Sequence, residues 1–132
     1  MSRLERVYAA LDSADNLTWL QGWYLAMCDG DWEHQDGLKI ETLDNPGWSL
    51  KVGLHATYLE NLEFEKVQVS RSKHDWIHCC RKGLSFEGFG GPLNLNEVVA
   101  IFRNWVTPTL VINKAADYGV HGDWLDEMES SF

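Results

Sequence analysis

The sequence predicts an α+β fold, an antiparallel meander of about five strands with N-terminal and C-terminal helices packed on one face. Apolar residues recur at helical spacing near both ends of the chain, whereas between residues 37 and 90 the period is two. The strand-like runs are separated by turn chemistry, which makes them hairpins, and helices flanking a hairpin sheet define the class. With 132 residues, the chain is read as a single domain, 1–132, long enough to bury about two-thirds of its unfolded surface.

The elements follow in order. Leu4, Val7, Tyr8 and Leu11 lie on one face of a helix over residues 2–12. Asp15 or Asn16 caps a second helix, with Leu17, Leu20, Tyr24 and Met27 or Cys28 as its apolar stripe, Trp19 and Trp23 flanking it, and Gly30 ending it. Only residues 13–16 separate the two, so they can run as one bent unit. Leu38, Ile40 and Thr42 then alternate with Lys39, Glu41 and Leu43, and Asp44, Asn45, Pro46 and Gly47 supply a turn. The next strand places Trp48, Leu50, Val52 and Leu54 on one side. KVQVSRS, DWIHCCRK and LSFEGFG make three more strands, with turns near residues 72–74 and at Gly83. A last clear helix starts at Asn94 with Glu97 as its capping-box partner and Leu93 stapled to Val98, and it stops at Pro108. A helical turn is expected at 124–128.

Charge is unevenly placed. The net charge is -9, and residues 12–44 hold eight acids (Asp12, Asp15, Asp29, Asp31, Glu33, Asp36, Glu41 and Asp44) against Lys39 alone. Residues 115–132 form an acidic C-terminal tail with five acids and no Lys or Arg. Such a field repels phosphate and attracts basic proteins, so nucleic acid is excluded as a direct partner. No uninterrupted apolar run reaches the roughly 18 residues of a membrane span, and no export signal is read at the N-terminus. A cytoplasmic location is expected, with Cys28, Cys79 and Cys80 as free thiols.

The densest chemistry is CDGDWEH at 28–34. As a calcium loop counted from Asp29 it fails, because His34 and Ile40 stand where glycine and a bidentate acid are needed. A structural zinc site wants thiolates or several imidazoles, and only His34 is local. GFGG before Pro92 follows no parallel strand-to-helix turn and is no nucleotide fingerprint. No metal, cofactor or catalytic residue is assigned. Trp19, Trp23, Trp48 and Trp105 sit on apolar stripes and are assigned to the core. Trp32, ringed by acids, is either an aromatic anchor for a partner or a lid folded over the helix end.

The blocks CDGDWEH (28–34), TLDNPGW (42–48), DWIHC (75–79) and FGGPLNL (89–95) resemble the immunity protein 53 family of bacterial polymorphic toxin systems, over about residues 17–106. The resemblance implies a non-enzymatic protein that binds and neutralises a cognate toxin encoded by a neighbouring gene. Charge adds the expectation of a basic nuclease as that toxin. Asp29, Asp31, Trp32, Glu33 and His34, with Asp44 and Asn45, are the expected toxin-binding residues. The competing readings are a small metal-dependent hydrolase using the turn 29–34 with His34 or His78, and a ligand-binding module with an aromatic pocket. The sequence sets no oligomeric state.

Overall fold

The period-two stretch forms one five-stranded antiparallel sheet in a computed structural model that describes residues 2–113. Its strands are β1 (Leu38–Leu43), β2 (Gly47–Gly53), β3 (Val67–Ser72), β4 (Asp75–Lys82) and β5 (Ser85–Gly90). The class and the strand segments agree with the sequence, while the spatial order is β1-β2-β5-β4-β3 rather than chain order. Residues 54–66 carry the chain to the far edge, and the hairpins β3–β4–β5 step back inward until β5 meets β2, with Trp48 opposite Gly90 and Gly53 opposite Ser85. The guanidinium of Arg81 pins this crossing by donating to the carbonyls of Leu59, Glu60 and Leu62.

Alternation gives the sheet one apolar face. Leu50, Val52, Ile77, Cys79 and Phe86 point to the side on which α4 (Leu95–Asn113) packs through Val98, Val99, Phe102 and Val106. Gly88 permits the close approach, since a Cβ there would stand 2.5 Å from Val98. Of the helices before the sheet, α2 (Asn16–Met27) packs on α4, and α1 (Arg3–Leu11) packs on α2. Trp19, Trp23, Phe86 and Phe102 are fully buried together, each ring contributing about 2–3 kcal/mol. Arg103 locks the α1–α2 link to α4, donating to Ser13 and Asn16 and lying over the Trp19 ring at 5.6 Å.

Several local expectations are corrected. Instead of one bent unit, α1 and α2 fold back on each other, Gly22 lying so close to Ala10 that a Cβ would meet it at 2.5 Å. The buried face of α2 is Trp19, Leu20, Trp23, Ala26 and Met27, leaving Leu17 and Tyr24 exposed. This helix is apolar nearly all round, and the larger rings take the core. Helix α4 does not stop at Pro108 but continues to Asn113. Asn104, Thr107 and Pro108 lie on its exposed side, where water can satisfy the carbonyl that the proline cannot serve. Leu93 is 93% exposed, so the staple to Val98 is not made. Asn94 spends its amide on the carboxylates of Asp75 and Glu97, and its Oδ1 accepts from the Trp76 N–H at 3.4 Å, joining the start of α4 to β4. The expected turn at 124–128 and the acidic tail lie outside the described residues. Among the described residues, no helix is long and apolar enough to cross a membrane.

Candidate functional site

After Met27 the chain turns at once, with Cys28 extended and Gly30 at φ 97°. Two carboxylates close this turn from within. Glu33 accepts the N–H groups of Asp29 at 3.0 Å and Gly30 at 2.8 Å, and Asp29 Oδ1 accepts those of Asp31 and Trp32, both at 2.9 Å. These donors stand between the end of α2 and the single turn α3 (Trp32–Gln35), where no helical carbonyl is available to them. Charge-assisted bonds replace the missing partners. The sequence could count these acids but not say which of them face inward.

Trp32 lies in the core and is 3% exposed. Its ring meets Trp23 edge-on at 5.7 Å and Tyr24 at 5.8 Å, and its Nε1 donates to the Gly53 carbonyl at 3.0 Å. Of the two readings open for this residue, the lid is the arrangement in the structure. At the surface of the turn stand Asp31, His34 and Asp36, with His34 Nε2 3.9 Å from Glu33. Asp36 packs over Gly53, and sequence reasoning did not single it out.

The turn holds an unreactive thiol. Burial, reinforced by the Glu33 charge, pushes Cys28 up to about 11, and its Sγ donates to the Tyr24 carbonyl. Burial also raises Tyr24, and it raises Cys79 to about 12. Both thiols therefore stay protonated at neutral pH, the unreactive form of the group. Among the described residues, no three His, Cys, Asp or Glu side chains gather as metal ligands would.

Asp44 and Asn45 are exposed in the β1–β2 turn, and β1 separates them from residues 29–34. At about 3.4 Å per residue, the six residues of β1 put roughly 17 Å between the two groups. The expected site is thus two sites, one at each end of an edge strand. Around Asn45 a concavity of about 520 Å³ is lined by Pro46, Lys73, His74 and Trp76. Trp76 also borders a concavity of about 420 Å³ on the helix-free face, beside Gln68, His78 and Phe89. Alternation in DWIHCCRK puts Trp76 and His78 on a common face, and the β4–β5 hairpin sets Phe89 opposite His78.

Comparison with known families gives a match to immunity protein 53 over residues 17–107, more than half of the chain. The chain belongs to the immunity protein 53 family. In this family member, the matched segment contains α2 from its second residue, the acidic turn, all five strands and the first thirteen residues of α4, and it leaves α1 outside. Membership implies a cognate toxin as the binding partner of an immunity protein 53 chain. No match was found among curated proteins or solved structures.

Proposed function

We propose that this immunity protein 53 chain works in the bacterial cytoplasm by binding, without catalysis, a toxin encoded by a neighbouring gene. The observation that carries the reading is the family match, which spans both the acidic turn and the sheet. The acidic balance of residues 12–44 supports a basic toxin, of which a nuclease is the expected class, because complementary charge speeds encounter and occludes a phosphate-binding surface. Asp31 and His34 at one end of β1, with Asp44 and Asn45 at the other, supply contacts. Asp29, Trp32 and Glu33 act through them by holding the turn in shape. No nucleic acid, membrane, metal or cofactor enters this mechanism.

Calorimetric titration against the catalytic domain of the neighbouring toxin, at low and moderate salt, tests this. Saturable one-to-one binding that weakens as salt rises is the expected result. Absence of binding at both salt concentrations would refute it.

A further inference from the structure

The two edges of the sheet are not equivalent. Along β3 the register with β4 shifts between Ser70 and Ser72, Arg71 lies at that shift, and Lys66 and Lys73 flank the strand. A bulge is one way in which sheets protect an edge from further pairing. β1 has none. Its register with β2 is continuous from Leu38 to Leu43, it contains no proline, its four middle residues are exposed, and Lys39 is its one base.

The ladder phase tells which groups this edge offers. Gly53 donates its N–H to the Gly37 carbonyl at 2.9 Å, so Gly37 and Gly53 occupy a hydrogen-bonded position. Alternation makes Lys39, Glu41 and Leu43 the residues bonded to β2 and turns the N–H and C=O groups of Leu38, Ile40 and Thr42 outward. Ile40 also leaves 36% of its surface exposed beside them. Acids flank this row: Asp36 precedes it, Glu41 lies within it and Asp44 follows it.

We infer that β1 is the docking strand for an extended, basic segment of the toxin, which pairs antiparallel or parallel with Leu38, Ile40 and Thr42. Such a segment would cover Ile40 with an apolar side chain and place Lys or Arg near Glu41, Asp36 and Asp44. One added strand spans the distance between the two halves of the expected site, so a single partner can touch both. The inference rests on the immunity reading and deepens it by naming the surface.

The test combines amide hydrogen exchange with one variant, using the full chain and the catalytic domain of the neighbouring toxin. Ile40→Pro deletes an outward N–H that β2 does not use, a position where an edge strand tolerates proline. If the inference holds, toxin binding protects the amides of Leu38, Ile40 and Thr42, and Ile40→Pro weakens affinity by about tenfold or more. Should the variant fold poorly, the exchange pattern of the unaltered chain decides alone. Binding that leaves these amides unprotected, or that protects residues around Trp76, His78 and Phe89 instead, overturns the inference and leaves the immunity function standing. Protection of the three amides in the chain alone also overturns it: concentration-dependent protection would give the strand to a second copy, and concentration-independent protection to the chain itself. Absence of any toxin binding by the unaltered chain removes the immunity reading, and the inference with it.

Discussion

The indole of Trp32 is hydrogen-bonded to the Gly53 carbonyl at 3.0 Å, which fastens the acidic turn to the last residue of β2. That carbonyl would otherwise be the ladder acceptor for Gly37, whose own N–H goes to the Trp32 backbone carbonyl at 2.8 Å. Replacing Trp32 with Phe keeps an apolar ring but leaves Gly53 without its donor, an expected loss of about 1–2 kcal/mol. Trp32→Ala adds a cavity against Trp23 and is expected to cost about 3–5 kcal/mol. Urea unfolding measures both, and a Phe variant as weak as the Ala variant would mean that the hydrogen bond outweighs packing.

Asp31 and Glu33, two residues apart, answer differently to mutation. Glu33→Ala orphans two N–H groups and is expected to cost about 2 kcal/mol, because the carboxylate is held inside the turn with its side chain 11% exposed. Asp31→Lys changes an exposed group and is expected to leave the melting temperature nearly unchanged while weakening toxin binding. Thermal melts beside toxin titrations separate the two effects; equal loss of stability in both variants would contradict this assignment.

Gly22→Ala should destabilise despite the higher helix propensity of alanine. The gain of about 1 kcal/mol from propensity is opposed by a Cβ 2.5 Å from that of Ala10. The double change Gly22→Ala with Ala10→Gly relieves the clash and should recover part of the loss. Additive destabilisation in that double variant would show that the two helices do not meet here.

The pH profile should have two limbs with separate causes. Hydrogen bonds from Thr18 hold Asp15 below its ordinary 3.8, and those from Asn94 and then Arg71 do the same for Asp75. The native carboxylates bind protons less readily than the unfolded ones, so their contribution is complete above pH 3.8 and disappears as pH falls through the lower native values. On the alkaline side, burial keeps Cys28 near 11 and Cys79 near 12 against 9.0 when unfolded. The unfolded chain ionises first, and stability declines from pH 9.0 upward. Asp75→Asn should flatten the acid limb in urea titrations, and Cys79→Ala the alkaline one. An alkaline limb unaffected by Cys79→Ala would assign it elsewhere.

What the sequence revealed depends on how local the cause was. Alternation in KVQVSRS, DWIHCCRK and LSFEGFG marks strands because each side chain reports its own face. The central place of β5 was not legible, since turn residues specify which strands are joined and not which free edge closes the sheet. Leu17 and Tyr24 were placed inside because α2 has apolar residues on every side, and only the volume of Trp19 and Trp23 settles its rotation. The acidic turn was visible as composition. Its division into inward-facing Asp29 and Glu33 and outward-facing Asp31 depends on backbone N–H directions that no residue pattern encodes.

Because β5 is both the last strand of the sheet and one of its three inner strands, the seam between β2 and β5 is a late event in the life of each new molecule. Trp48 waits for Gly90, forty-two positions later, before its strand gains a second neighbour. A ribosome adding about 5–20 residues per second exposes the β1–β2 hairpin with both flanks open for seconds before the seam can close. Such distant pairing also places the main folding barrier at a long loop closure, so the rate should respond more to substitutions in β2 and β5 than to equal perturbations of β3.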